Sequence, residues 1–148
     1  MKLHILFGTE TGNAEMVADD LAEAAGGEFV TEVQDMAQVD IANLNPAADS
    51  LYLIVCSTYG DGELPASAQP FAQQLSEQRP NLQGLRFAVF GLGDSFYATY
   101  NQGSALLAAQ LVELGAVQVG ERGLHDASSG ELPGEVAQDW LKALLAQL

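Results

Sequence analysis

Apolar residues along this chain fall into two alternating periods. Short runs with strand character are Leu3 to Phe7, Phe29 to Val33, Leu51 to Cys56, Phe87 to Phe90 and Ala116 to Val119. Between them the apolar positions recur every three or four residues, as one face of a helix requires. Ala14, Val17, Leu21 and Ala24 make the first such stripe, and Gly26-Gly27 ends it. Ser67 stands where it could cap a second helix carrying Phe71 and Leu75. Ala105 to Leu114 reads as a third helix with Gly115 after it, and Val136, Trp140, Leu144 and Leu148 share one stripe of a last. The runs Leu51 to Cys56 and Phe87 to Phe90 are uninterrupted, which predicts strands buried on both faces. Phe29 to Val33 alternates more, which suits a place near a sheet edge.

Alternating strands and helices of this length predict an α/β domain, a parallel sheet with helices on both faces. Ligands of such sheets bind outside the carboxyl ends of the strands, where the strand order reverses. The loops after the first, third, fourth and fifth strands are therefore the ones to examine. At 148 residues, 48% of them hydrophobic, residues 1–148 suit one domain with one core. There is no internal repeat, low-complexity tract or linker. No apolar run approaches the length of a membrane span and the N-terminus enters a strand at once, so a cytoplasmic, membrane-free setting is expected. Cys56 is the lone cysteine, which excludes an internal disulfide and any paired-cysteine redox or zinc motif. It closes a buried strand and reads as core, as does Trp140.

Charge narrows the partners. Twenty acids against five bases give a formal net charge of −15. Such a field does not attract nucleic acid or an anionic membrane. It serves solubility, or it steers the chain toward a basic partner protein.

Three loops carry candidate chemistry. After the first strand comes Gly8-Thr9-Glu10-Thr11-Gly12-Asn13-Ala14, a hydroxyl-rich turn leading into a helix. Backbone N–H groups, two side-chain hydroxyls and the positive end of a helix dipole converge there, which suits a phosphate or a plain helix cap. Asn13 stands where a nucleoside-triphosphate loop requires lysine, and the glycine spacing is wrong for a dinucleotide fingerprint. After the third strand, Ser57-Thr58-Tyr59-Gly60-Asp61-Gly62-Glu63 places an aromatic beside two glycines. After the fourth, Gly91-Leu92-Gly93-Asp94-Ser95-Phe96-Tyr97-Ala98-Thr99-Tyr100-Asn101 is again glycine-rich, with aromatics in its second half. Gly93-Asp94-Ser95 lacks the strained elbow of a serine hydrolase, and the two histidines, His4 and His125, lie far from it in sequence. Together the loops describe a site for a phosphorylated planar ligand, with Tyr59 and Tyr97 as stacking faces.

At these residues the chain resembles the flavodoxins, over essentially its whole length. Thr9 to Ala14 is similar to the family's FMN phosphate loop, Thr58 to Gly62 to its second flavin loop, and Gly91 to Asn101 to its third. The pattern is closest to the short MioC-type members and to the FMN domains of diflavin reductases such as cytochrome P450 reductase and sulfite reductase flavoprotein. Ala14 stands where many members carry a hydroxyl residue, and Tyr59 replaces a frequent tryptophan. Both variants resemble the diflavin branch. No long insertion splits the fifth strand, as in short-chain members. Gly123-Leu124-His125-Asp126 resembles the loop after that strand, where an acid lies near the flavin.

The resemblance implies a flavodoxin-like fold with five parallel strands in the order 2-1-3-4-5, non-covalent FMN and one-electron transfer. Thr9, Thr11 and the amides of Glu10, Thr11, Gly12, Asn13 and Ala14 would hold the phosphate. Tyr97 would stack on one face of the ring and Tyr59 on the other. Leu92, Gly93 and Asp94 would meet its pyrimidine edge, with Ser57, Thr58, Gly60, Asp61, Asn101 and Asp126 completing the site. The Gly60 carbonyl would turn toward the ring on reduction, and the acids Asp61, Glu63, Asp94 and Asp126 would disfavour negative charge on it. The implied partners are basic-surfaced redox proteins, an NADPH-dependent flavodoxin reductase as donor and reductive enzymes as acceptors. The chain would act as a monomeric electron carrier and not as a substrate-turning enzyme. An FMN-binding regulatory or assembly module acting by contact is the alternative. A response-regulator receiver shares the strand order, but it needs acids closing the first and third strands and a lysine after the fifth. Here those places hold Phe7-Gly8, Cys56-Ser57 and Glu121-Arg122.

Overall fold

The two periods of the sequence become the two layers around a sheet. In the computed structural model, which describes residues 2–9, 12–27, 29–41, 44, 50–57, 64–93 and 102–146, the strands are β1 (Lys2–Gly8), β2 (Val30–Asp35), β3 (Ser50–Ser57), β4 (Arg86–Gly93), β5 (Val117–Gln118) and β6 (Gly123–Asp126). The helices are α1 (Asn13–Ala25), α2 (Gln69–Gln78), α3 (Gln102–Glu113) and α4 (Pro133–Leu145). The sheet is parallel, in the order β2-β1-β3-β4-β5, the flavodoxin order.

Side chains alternate across a strand, so each strand feeds both layers. Leu3, Ile5 and Phe7 of β1 join Leu51, Leu53 and Val55 of β3 against Val17, Leu21 and Leu141 of α1 and α4. Leu6, Ile54, Phe87 and Val89 face the other way, onto Phe71, Leu75, Leu107 and Leu111 of α2 and α3. Every residue of β3 from Ser50 to Cys56 is buried, as the unbroken apolar run predicts. β2 lies at the sheet edge with mostly half-buried residues, in keeping with its alternation. Burying Phe71, Phe87 and Phe90 completely contributes about 1.5–3 kcal/mol each.

Three local expectations change. The fifth strand comes in two pieces: β5 pairs with Arg86 and Phe87 of β4, and after a short break β6 rejoins the same edge opposite Phe90 to Gly93. Gly123 to Asp126 is thus strand rather than loop, because β4 runs on beyond β5 and offers it unpaired backbone groups. Ser67 does not cap α2. That helix starts after Ala68 without a side-chain cap, and the Ser67 hydroxyl serves a more distant partner. The stripe on α4 is centred one residue further on, at Ala137, Leu141 and Leu144. Trp140 is half-buried: its ring packs on Phe90 at 5.4 Å and its Nε1–H donates to the Glu121 carbonyl at 3.3 Å.

Candidate functional site

Register lines up the carboxyl ends of four strands. Gly8 of β1 pairs with Cys56 of β3, Ser57 pairs with Leu92 of β4, and Gly93 pairs with Asp126 of β6. Thr9, Ser57, Leu92, Gly93 and Asp126, which the sequence spreads over more than a hundred residues, therefore end along one edge of the sheet. The order reverses there too, since β1 leads to α1 on one face and β3 to α2 on the other.

The turn after β1 is braced from two sides. The Thr9 N–H donates to the Ser67 hydroxyl at 2.7 Å, and the Ser67 N–H donates back to the Thr9 carbonyl at 3.4 Å. The Ser57 hydroxyl donates to the Gly8 carbonyl at 3.4 Å. Within the turn, the Gly12 N–H donates to Thr9 Oγ1 at 2.8 Å. That bond uses the hydroxyl as an acceptor and leaves its own hydrogen to donate elsewhere. Gly12 has φ +97°, a left-handed conformation that costs a non-glycine residue about 1–2 kcal/mol.

Gly12 is also the N-cap of α1, and no side chain among the described residues caps this helix. The Met16 N–H makes the first intrahelical bond, to the Gly12 carbonyl at 3.1 Å. The amides of Asn13, Ala14 and Glu15 precede it and have no carbonyl of the helix to reach. They point out of the helix at its positive end, where an anion is favoured. No cationic side chain shares this turn: of the five bases, Lys2 lies at the opposite end of β1, and Arg79, Arg86, Arg122 and Lys142 belong to other elements. The Ala14 methyl is fully buried in the core beneath α1, so its contribution to the turn is its amide alone.

The far end of the edge is fastened by groups that sequence spacing does not reveal. His125, buried on β6, places Nε2 2.7 Å from the Glu131 carbonyl. The Ser129 hydroxyl donates to the Asp126 carbonyl at 2.7 Å. Arg122, in the break between β5 and β6, donates to the fully buried Ser104 hydroxyl at 2.8 Å, tying that edge to the first turn of α3. Arg122 and Ser104 escape sequence reasoning, and Ser67 and His125, which it names as a helix cap and as part of a loop, have bonding partners that it does not foresee. Cys56, beside the site, is inert: burial pushes its thiol up to about 12, and its Sγ lies 3.2 Å from the Ser57 carbonyl.

Among the proposed site residues, Thr9, Gly12, Asn13, Ala14, Ser57, Leu92, Gly93 and Asp126 fall within the described part, at this one edge. Glu10, Thr11, Thr58, Tyr59, Gly60, Asp61, Asp94, Tyr97 and Asn101 lie outside the described residues. No helix among the described residues is long and apolar enough to cross a membrane.

Residues 5–140 match the family model described as Flavodoxin. Protein MioC of Escherichia coli O157:H7 is 33% identical over 140 residues, covering 93% of this chain and 91% of that protein. NADPH–cytochrome P450 reductase of Phanerodontia chrysosporium is 34% identical over 135 residues, covering 84% of this chain. The chain spans only 18% of that reductase, and 8% to 21% of the long relatives in general. Among solved structures, a cysteine-to-serine mutant of flavodoxin from Pseudomonas aeruginosa superposes with a TM-score of 0.86 at 33% identity, covering 100% of this chain and 99% of the other.

Proposed function

The chain belongs to the flavodoxin family, and from that premise we propose that residues 1–148 form one FMN-binding domain that carries electrons singly between proteins. The observation that supports this best is the start of α1: three outward amides, no side-chain cap and no cation, held by the Thr9, Gly12 and Ser67 bonds. A single phosphomonoester suits that cradle. A triphosphate, with more charge to neutralise, does not.

In this reading the Thr9 hydroxyl and the amides of Glu10 through Ala14 bind the phosphate. Hydrogen bonds to a charged group contribute about 1.5–3 kcal/mol each, so four or five anchor it without a lysine. The backbone of Leu92, Gly93 and Asp94 orients the pyrimidine edge of the ring, Tyr59 and Tyr97 cover its faces and exclude water, and Thr11, Ser57, Thr58, Gly60, Asp61, Asn101 and Asp126 complete the enclosure. The neutral Cys56 thiol stays buried in the core and takes no part in binding. When bound, FMN supplies a ring that takes up two electrons in separate steps. The protein holds that ring at an edge another protein can approach. Its acids favour a basic donor such as an NADPH-dependent flavodoxin reductase, and reductive enzymes as acceptors. We place it in the cytoplasm as a monomeric carrier that turns over no substrate of its own.

Anaerobic reductive titration of the purified protein tests this. The expected result is a yellow protein with stoichiometric FMN, far tighter binding of FMN than of riboflavin, and reduction in two resolved one-electron steps. A protein that binds FMN and riboflavin equally would sink the phosphate cradle; one that holds no flavin would sink the function.

A further inference from the structure

Two of the three most exposed large hydrophobic side chains among the described residues share one groove. Leu132 is 63% exposed and Met16 62%. With Val17 and Pro133 they floor a cavity of about 360 Å³ between the first turns of α1 and α4, and Asp20 and Glu135 stand on its rim. Exposed Glu15 and Asp19 on α1, and Glu131 and Asp139 at α4, adjoin the lining residues in sequence. None of these six acids enters an ion pair among the described residues. Neither helix carries a base except Lys142, in the last turn of α4.

The geometry points to this groove as a protein-docking anchor, separate from the loops that enclose the flavin, whose partner presents an apolar side chain flanked by lysines or arginines. Solubility accounts for a ring of acids, but not for two large apolar side chains at its centre. Apolar surface left in water forgoes a hydrophobic gain that an occupant would recover. An apolar centre within a polar rim is the ordinary anatomy of an interface. Charge decides the occupant. A second copy, also of net charge −15, would bring two acidic rims face to face, which is repulsive, whereas a basic surface is drawn in.

The position of the groove links it to the proposed function. Met16 is the first residue of α1 whose amide bonds back to the phosphate turn, at Gly12. Leu132 follows Asp126 by six residues and leads directly into α4. A partner seated there touches the shoulder of the cofactor end, beside the phosphate, and is oriented before it reaches the ring. That role rests on the carrier reading; the groove and its charge do not.

The test uses the FMN-loaded protein with cytochrome c as probe, a basic haem protein with an apolar haem edge. Amide resonances are followed during titration at low salt, and electron transfer from the photoreduced protein is timed by stopped flow. Expected are shifts at Met16, Asp20 and Leu132 through Gln138. A Met16→Ser, Leu132→Ser double variant should bind cytochrome c about five-fold more weakly, with FMN affinity and the reductive titration unchanged. A Glu135→Gln, Asp139→Asn variant should flatten the salt dependence of association. Shifts confined to the ends of β4 and β6, no binding at all, or wild-type affinity in the serine double variant would overturn the anchor. Binding in the groove without electron transfer would instead overturn the carrier reading and leave the anchor standing.

Discussion

Helices α1 and α4 both begin at the carboxyl edge of the sheet, pack into the same core layer and lack a side-chain cap, yet their first turns are finished differently. α4 opens with Pro133, which has no N–H to satisfy. Against its second residue, Gly134, lies the Asp20 carboxylate of α1, so close that a Cβ there would run into it. The positive end of α4 is thereby met by a charge of the chain's own. α1 opens with Asn13 and Ala14, both with their N–H groups, behind a left-handed Gly12. No acid from another element is set against it among the described contacts, and the bonds of Thr9 and Ser67 stiffen the turn instead of filling it. One helix start meets an acid from another element of the chain, and the other meets none such among the described residues.

The largest effect should come from disturbing the open start. Gly12→Val forces a β-branched residue into a left-handed conformation. Among the described residues nothing lies within 4 Å of an added Cβ, so the damage is conformational. FMN affinity should fall about ten- to a hundred-fold in a fluorescence-quenching titration, while riboflavin affinity holds. Equal losses for both ligands would show that the turn does not single out the phosphate. Stripping FMN from the wild type should do the complementary thing. Amide exchange should rise in the first turn of α1 and stay unchanged in that of α4.

The closed start should respond in stability and not in affinity. Gly134→Ala pushes a methyl into the Asp20 carboxylate, the free end of a side chain that can swing aside, and should cost no more than about 1 kcal/mol of unfolding free energy, with FMN affinity unchanged. Adding Asp20→Ala to that variant should restore part of the loss; a double variant as unstable as the single would mean that the collision is not with Asp20. Asp20→Asn alone should cost about 0.3–1 kcal/mol, and its effect should shrink as salt is added.

The start of α1 was legible in sequence and that of α4 was not, for a physical reason. The turn at Thr9 to Ala14 is a local device, written in consecutive residues. Its brace, Ser67, is 58 residues from Thr9, and in sequence it reads as the cap of its own helix. β6 was hidden in the same way: Gly123 to Asp126 has the composition of a loop and becomes strand only because β4 extends past β5. The stripe of α4 was read in part: Leu144 is buried and Val136 and Trp140 pack half-buried on the same core, while the fully buried Ala137 and Leu141 were missed and Leu148 lies outside the described residues. β1, β3 and β4 were plain, since a strand buried on both faces admits few polar residues. The loops at Tyr59 and Tyr97 lie outside the described residues, and the stacking role proposed for them rests on their glycines and aromatics and on the family pattern.

A pH series should separate the two kinds of helix start, with the smallest effect of all as its control. The second ionisation of a phosphomonoester lies near pH 6, and an uncapped helix start favours the dianion, so FMN affinity should fall as pH drops through about 6 and riboflavin affinity should not. Stability has its own titrating group at the other end of the sheet. His4 stacks on Tyr52 at 4.4 Å, and burial, then the Lys2 charge, lower its pKa below the ordinary 6.5, with Glu32 opposing. A histidine lowered in the folded state takes up its proton more readily when unfolded. Its contribution is therefore intact above pH 6.5 and lost as the pH falls toward the folded value. His4→Gln should remove that part of the acid-side decline in melting temperature and leave the fall in FMN affinity untouched. If the substitution also levels the affinity curve, the titrating group that matters is the histidine, and the start of α1 is not reading the charge of its phosphate.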